Sequence, residues 1–361
     1  MCIRDSLYQT PSIMSLLSSL VPSLEEGREL TSAEIESVCA ALASPEVGAT
    51  EKASFLIALA DKEETGSEIA GFAACFRSMA RASPLDRWSD EGIDVCGTGG
   101  DKSGTFNIST VVTFILAASG VPVLKHGNRS ITSKCGSADL LEALGVPIDA
   151  DDALLTRAME ELGFVFLFAP AFHPAFKEIG PVRKELAERG RRSIFNILGP
   201  LINPAKPAHQ LLGVFSESIV PVLADALHRL GLTAGLVVHG VLGDGKGIDE
   251  LTVVSENTTA GFGRLADHSG RITAADAGLP EAPFEHLIGG DRQQNLALLD
   301  RVLDGTAPSG LIDTIVLNGA TGLFVAGRVA SIRDGVEPAR DQLLGGGVKD
   351  LLERTRAFYQ S

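Results

Sequence analysis

Two polar segments, each following a short apolar run, carry residue types that grip phosphate. The first is Gly97-Thr98-Gly99-Gly100-Asp101, running through Thr105 to Asn107-Ile108-Ser109-Thr110. Glycines let a backbone approach an anion closely, and the free N–H groups of a following helix start complete the grip. An amide and two hydroxyls within four residues exceed what one helix cap requires. The frame is not a Walker loop, because Gly104 is followed by Thr105 rather than lysine, and not a dinucleotide fingerprint, because Lys102 stands where the last glycine would fall. Read alone, it is equally a tight turn. The second segment is Lys125-His126-Gly127-Asn128-Arg129-Ser130, followed by Thr132-Ser133-Lys134-Cys135-Gly136-Ser137. It brings Lys125, Arg129 and Lys134 to the carboxyl end of a strand, where α/β sheets bind ligands. Further on, Asp249 and Glu250 follow Gly245-Lys246-Gly247; on their own, adjacent acids there read as a solvated turn.

The elements that must position these residues change character along the chain. From about Met14 to Ala82 the pattern is helical: Thr31 and Glu34 have capping-box spacing, and Ile35, Val38 and Leu42 follow on one face. Phe55, Leu56 and Leu59 mark a second helix, and Ile69, Phe72, Ala73, Phe76 and Met79 a third. Pro84 closes this unit, and Ile93 to Cys96 reads as a strand. Strands are then expected at 121–124, 164–168, 211–215 and 235–239, alternating with helices at about 109–119, 138–144, 152–162 and 219–230. That rhythm predicts an α/β sheet of mainly parallel strands covered by helices. A charged helical segment spans Lys177 to Arg192, and Ile194 to Pro200 interrupts the α/β run; this stretch is expected to join the N-terminal helices. His239 to Asp249 reads as a long glycine-rich loop, and residues 1–13 as a disordered or non-native extension.

Composition narrows the function classes. The 361 residues carry 31 Lys and Arg against 46 Asp and Glu, a net charge of −15, which opposes a phosphate backbone and argues against a nucleic-acid partner. With 45% hydrophobic and 21% charged residues the chain can bury a substantial core. The five cysteines are odd in number and form no CxxC, so neither a disulfide framework nor a zinc cage is indicated and a cytoplasmic location is expected. The longest apolar stretch, Val111 to Leu124, is broken by Thr113, Ser119, Gly120 and Pro122, short of the roughly 20 residues that cross a bilayer. No membrane partner is expected, and the N-terminus lacks a signal-peptide pattern.

Taken together, GTGGD at 97–101, Thr105 with NIST at 107–110, KHGNRS at 125–130, GSADLLEALGV at 136–146, His173-Pro174, PVRKEL at 181–186, IFNILGPLINP at 194–204 and Asp249-Glu250-Leu251 resemble the anthranilate phosphoribosyltransferases. The likeness runs from about Leu16 to the C-terminus. It implies the nucleoside phosphorylase-like phosphoribosyltransferase fold: a small helical domain (14–84 plus about 180–200) and a larger α/β domain (85–179 and 201–361). It implies transfer of a 5-phosphoribosyl group from phosphoribosyl diphosphate to the amine of anthranilate, in tryptophan biosynthesis, with Mg2+ as cofactor and a homodimer formed through the helical domain. By the resemblance, phosphoribosyl diphosphate meets Gly97, Gly100, Asp101, Thr105, Asn107, Ile108, Ser109, Thr110, Lys125, His126, Gly127, Asn128, Arg129, Ser130, Ile131, Thr132, Ser133 and Ser137. Anthranilate meets Gly97, Asn128 and Arg183, with His173 beside the ring, and Ser109, Asp249 and Glu250 hold the metal. No covalent nucleophile or obligatory base is assigned; Cys96 and Cys135 read as packing residues. The rival readings are a nucleoside phosphorylase-like enzyme and a non-catalytic relative of the same fold. Two stretches depart from the family pattern, a longer Arg183–Ser193 interval and the long glycine-rich approach to Asp249.

Overall fold

The computed structural model describes residues 13–129, 134–243 and 245–360. The chain divides into two compact units: residues through Ala80 with His173–Leu198, and Arg81–Phe172 with the remainder from Gly199. The crossings thus follow Ala80, Phe172 and Leu198, where the sequence suggests 84, about 180 and about 200. Of the expected extension, only Ile13 lies among the described residues, and it opens the first helix.

The helical unit contains α1 (Ile13–Glu25), α2 (Ser32–Ala43), α3 (Ala49–Lys62), α4 (Gly66–Ser78) and the helix Phe176–Glu188. Thr31 and Glu34 form the expected capping box, and Thr65 and Glu68 repeat it at α4. Glu68 is buried, accepting the Leu30 N–H and pairing with Lys62 at 2.7 Å. The apolar positions expected on α2, α3 and α4 face the core, apart from Met79, which is the C-cap of α4. Phe76, Phe176 and Phe195 meet edge to face with ring centroids 5.3–5.5 Å apart. That aromatic cluster, with buried Ile179, Val182 and Leu186, draws the whole of Phe176–Glu188 into this unit, despite Pro181 inside the helix.

The second unit is built on β1 (Ile93–Gly97), β2 (Val123–Gly127), β3 (Phe164–Phe168), β4 (His209–Gly213), β5 (Ala234–Gly243), β6 (Lys246–Ile248), β7 (Asn257–Gly263) and β8 (Gly270–Ile272). The sheet order is β3-β2-β1-β4-β5-β7-β8, with β6 folded back on β5. Strands β3 to β5 along that path are parallel, while β6, β7 and β8 pair antiparallel. The parallel strands are buried on both faces, as their continuous apolar runs require. Helices α5 (Ile108–Ala118), α6 (Ser137–Ala143) and α7 (Asp152–Leu162) lie between the first strands. The helix Ser309–Val325 is buried nearly all round; a methyl added at its Gly322 would meet Leu116 of α5 at 2.8 Å, which is how closely the two pack.

Three expectations change. β2 starts at Val123, after Pro122, and runs to Gly127, so Lys125 and His126 stand on a strand rather than in a loop. β4 covers 209–213 instead of 211–215, giving five paired residues with β1. The expected loop from His239 is largely a hairpin: β5 continues to Gly243 and β6 pairs back through Gly240↔Ile248 and Val241↔Gly247. Gly247 permits this turn, because a Cβ there would strike the His239 ring at 2.1 Å.

The strand order reverses at β1. Its successor β2 lies on one side and β4 on the other, which makes the carboxyl ends of β1 and β4 a topological switch point, where open α/β sheets bind their ligands.

Candidate active site

Gly97 and Gly213 are register partners at that switch point. Above them crosses the segment bearing the two acids. A Cβ on Gly213 would lie 1.6 Å from the Asp249 carbonyl oxygen, and one on Gly97 would lie 2.2 Å from Asp249 Oδ2. Glycine at both strand ends therefore seats the acids directly on the sheet rim. The Thr98 N–H donates to Gly213 O at 2.9 Å, and the Phe215 N–H donates to Thr98 Oγ1 at 3.1 Å, tying the two exit loops together.

After Thr98 the loop turns through left-handed backbone at Gly99 (φ 66°), Gly100 (φ 81°), Lys102 (φ 59°) and Gly104 (φ 71°). A methyl added at Gly99 or Gly100 would meet nothing within 4 Å, so the loop presents bare backbone to open space. The Gly99 N–H donates to Asp249 Oδ2 at 2.7 Å; the Asp249 N–H reaches Asp101 Oδ2 at 3.4 Å, and Ser103 Oγ donates to that oxygen at 2.6 Å. Ser103 also contacts Thr105 Oγ1 at 3.1 Å. The far side is strapped by Leu287–Gly289, with the Phe106 N–H on Leu287 O and the Gly289 N–H on Gly104 O.

Asn107 stands at the N-cap position of α5, yet its side chain does not cap the helix. It donates to Cys135 O at 3.0 Å and accepts from Asn295 Nδ2 at 2.8 Å, joining the residues after β2 to the helix Arg292–Leu303. Ile108 is buried; the Ser109 N–H donates to Glu250 Oε1 at 3.1 Å. The Thr110 hydroxyl is buried with no hydrogen-bond partner among the described residues.

Lys125 is almost wholly buried. Its ammonium donates to Val95 O at 2.5 Å and to Ser109 Oγ at 3.4 Å, which puts a fixed positive charge under the helix start. His126 is buried on β2, and Gly127 lets that strand pass Phe166 and Ser137, which a Cβ would meet at 2.9 Å. Asn128 and Arg129 are exposed; Arg129 pairs with Asp139 and Glu142 of α6. Ser137 donates to Asn128 O at 3.4 Å. Ser130, Ile131, Thr132 and Ser133 lie outside the described residues. The site residues at 97–110, 125–129, 137 and 249–250 thus belong to one unit and one rim. Arg183 and His173 belong to the helical unit. Arg183 is half-buried, burial alone lowers its pKa from the ordinary value, and no carboxylate pairs with it among the described residues. His173 is buried edge-on against Phe176.

Burial and the charges of Asp101 and Glu250 push Asp249 well above the usual carboxylate range. Burial raises Glu250 to about 7, although Lys125 and the Ser109 N–H oppose the shift. Crowded carboxylates with raised pKa values mark a place where positive charge is wanted. Among the described residues no three His, Cys, Asp or Glu side chains converge as a metal cage. Asp249, Glu250 and the Ser109 hydroxyl form an oxygen-only set of few ligands, which fits Mg2+, a hard cation that retains several waters. Cys96 is buried, which pushes its thiol well above the ordinary value and leaves no thiolate nucleophile there.

Sequence reasoning misses Gly213, the burial of Lys125 and the bond between Asp94 and Asn203. Only the glycine ending an apolar run, Leu211-Leu212-Gly213, signals a close approach.

Residues 89–348 match the glycosyl transferase family, a/b domain, and residues 19–80 its helical bundle domain, the class that this fold and rim define. Within that class the chain belongs to the anthranilate phosphoribosyltransferase family. It is 40% identical to the anthranilate phosphoribosyltransferase of Symbiobacterium thermophilum, over 95% of this chain and 97% of that one. The crystal structure of the enzyme from Thermus thermophilus superposes with a TM-score of 0.85 at 42% identity, covering 94% of this chain and 99% of the other. The Saccharomyces cerevisiae enzyme, solved in complex with phosphoribosyl diphosphate and Mg, shares the fold at a TM-score of 0.81 and 23% identity, covering 96% and 98%.

Proposed function

We propose that this chain transfers the 5-phosphoribosyl group of phosphoribosyl diphosphate to the amine of anthranilate, releasing diphosphate, with Mg2+ bound at Ser109, Asp249 and Glu250. The observation that carries the reading is the rim itself: a bare glycine loop, a helix start and a crowded acid pair seated on Gly97 and Gly213 at the sheet's switch point. As the C1–oxygen bond breaks, positive charge grows on the sugar and negative charge on the departing diphosphate. The chain's part is electrostatic and positional. The loop from Gly97 to Thr105, the start of α5 and Lys125 meet the diphosphate, with Asn107 and Ser109 placing hydrogen-bonding groups beside it. Asn128, Arg129 and Ser137 accompany the donor from the second loop. Held by Ser109, Asp249 and Glu250, Mg2+ would supply positive charge to offset the negative charge growing on the diphosphate. The anthranilate carboxylate is held by Arg183, whose half-buried guanidinium lacks a protein carboxylate among the described residues and whose planar fork suits that anion. The amine attacks C1 and then gives its proton to water or diphosphate, so no protein base is needed.

We further propose a cytoplasmic homodimer that assembles through the helical unit. Among the described residues the exposed large apolar side chains are Ile288 and Leu344, both in the other unit. Light scattering behind size exclusion measures the state. No helix among the described residues is long and apolar enough to cross a membrane. Incubating protein, phosphoribosyl diphosphate, anthranilate and Mg2+ tests the reaction: anthranilate fluorescence should fall and diphosphate appear. Turnover of nucleosides with phosphate in place of that reaction would favour the phosphorylase reading instead.

A further inference from the structure

β1 and β2 are paired unlike their neighbours. β1 holds five registered residues with β4, and β2 five with β3, but β1 and β2 share only Ile93↔Val123. Beyond that pair no further residues of the two strands are registered with each other, and side chains take up backbone groups that face across the seam. Asp94 is wholly buried; its Oδ1 accepts the His126 N–H at 3.3 Å and its Oδ2 accepts Asn203 Nδ2 at 2.9 Å. The same Asn203 amide donates to Leu124 O at 2.7 Å, and its Oδ1 accepts the Ala205 N–H at 3.0 Å. Lys125 adds the bond to Val95 O. The backbone groups of Val95, Leu124 and His126 thus bond to side chains where a closed ladder would bond strand to strand. A buried N–H or C=O must be satisfied somewhere, so this substitution is what allows the split to exist.

The unregistered stretch runs toward the carboxyl ends of both strands, where the Gly97 loop and the Asn128–Arg129 loop emerge. We propose that Asp94 and Asn203 are positioning residues that hold β1 and β2 apart, setting the gap into which the phosphoribosyl donor enters between those loops. This rests on the donor-binding role proposed above for both loops. Neither residue needs to touch the donor. Asn203 lies just past the chain's last return from the helical unit, at Leu198–Gly199, so the wedge is delivered by a segment remote in sequence from both loops.

The test uses the full-length chain and the variants Asp94→Asn, Asn203→Ala and the double substitution. Donor affinity is read by calorimetry with phosphoribosyl diphosphate and Mg2+, and both substrates' KM and kcat are measured well below each variant's unfolding midpoint. Asp94→Asn sets two amide nitrogens against each other; Asn203→Ala removes the bridge. Each single change should weaken donor binding about tenfold, the equivalent of about 1.4 kcal/mol. The anthranilate KM, and kcat at saturating donor, should stay within about threefold. The double variant should be no weaker than about the worse single, because both act on one wedge. A purely structural role would lower the unfolding midpoint and the active fraction while leaving the donor affinity of the folded protein at the wild-type value. That result, or single effects that multiply in the double, overturns the proposal. Should Asp94→Asn not accumulate as folded protein, Asn203→Ser, which is too short to reach both Asp94 and Leu124 O, carries the same expectation. If the wild type itself binds no donor, the site reading fails; if it binds and the folded variants bind equally well, only the positioning role falls.

Discussion

Replacing Gly213 by alanine adds one methyl at the point where the sheet carries the acid segment. That Cβ would sit 1.6 Å from the Asp249 carbonyl oxygen, 2.4 Å from its carbonyl carbon and 3.1 Å from the Glu250 nitrogen, all backbone atoms that no rotamer change can clear. Real Cβ contacts begin near 3.0 Å, so the segment must withdraw by roughly 1.4 Å. A displacement of about 1 Å in a positioned group costs on the order of a hundredfold in rate, or about 2.7 kcal/mol of transition-state stabilisation. We expect Gly213→Ala to fold, to lose about a hundredfold in kcat/KM for phosphoribosyl diphosphate, and to need more Mg2+ for half-maximal rate, with the anthranilate KM little changed. The assay follows anthranilate fluorescence while Mg2+ is titrated at saturating donor, with circular dichroism confirming the fold. Gly48→Ala, whose added methyl meets nothing within 4 Å, is the neutral control. A folded Gly213→Ala with wild-type turnover and wild-type Mg2+ requirement would refute the claim that this glycine seats the acids.

Other outcomes follow from the same geometry. Arg183→Ala should raise the anthranilate KM by about tenfold to a hundredfold, the worth of one charge-assisted pair, while the donor KM holds; equal changes in both would remove Arg183 from the acceptor's site. Because burial holds Glu250 near about 7 and Asp249 above its ordinary range, the metal-free protein retains protons that the unfolded chain releases above about 4.5. Its stability should therefore fall as pH rises from about 4.5 to 7, and Mg2+ affinity should rise as the pH climbs through that window; a pH-independent affinity by calorimetry would contradict the assignment. Glu63 holds φ 68° and ψ 122°, backbone that suits glycine, so Glu63→Gly should stabilise the helical unit by about 1 kcal/mol, visible as a higher unfolding midpoint.

What the sequence can reveal divides along the range of the interactions involved. Local chemistry is legible: the Thr31–Glu34 box, the apolar faces of α2 to α4, and the strand–glycine–helix unit at 93–118 are all written within a few residues of one another. The bond from the Gly99 N–H to Asp249 spans 150 residues, and nothing local to either residue announces it. The same holds for Asn203, 109 residues from Asp94, and for the seat at Gly213. Lys125 reads as a loop cation at the end of a strand because its bonds to Val95 and Ser109 depend on the sheet. The stretch before Asp249 reads as loop because glycines mask the period of two, although β6 pairs there. Beyond His239 no element is assigned from the sequence; the helix Ser309–Val325, buried on nearly every side, has no polar face to set a period.

The central claim is that the donor lies on the rim formed by Gly97–Thr105, the start of α5 and Asp249–Glu250. Diffraction from crystals soaked with phosphoribosyl diphosphate and Mn2+, with the anomalous signal locating the metal, tests it most directly. The metal should appear between Ser109, Asp249 and Glu250, with the diphosphate against the Gly99–Gly100 backbone. A donor ordered elsewhere in the unit, with no anomalous peak at the acids, would contradict the account.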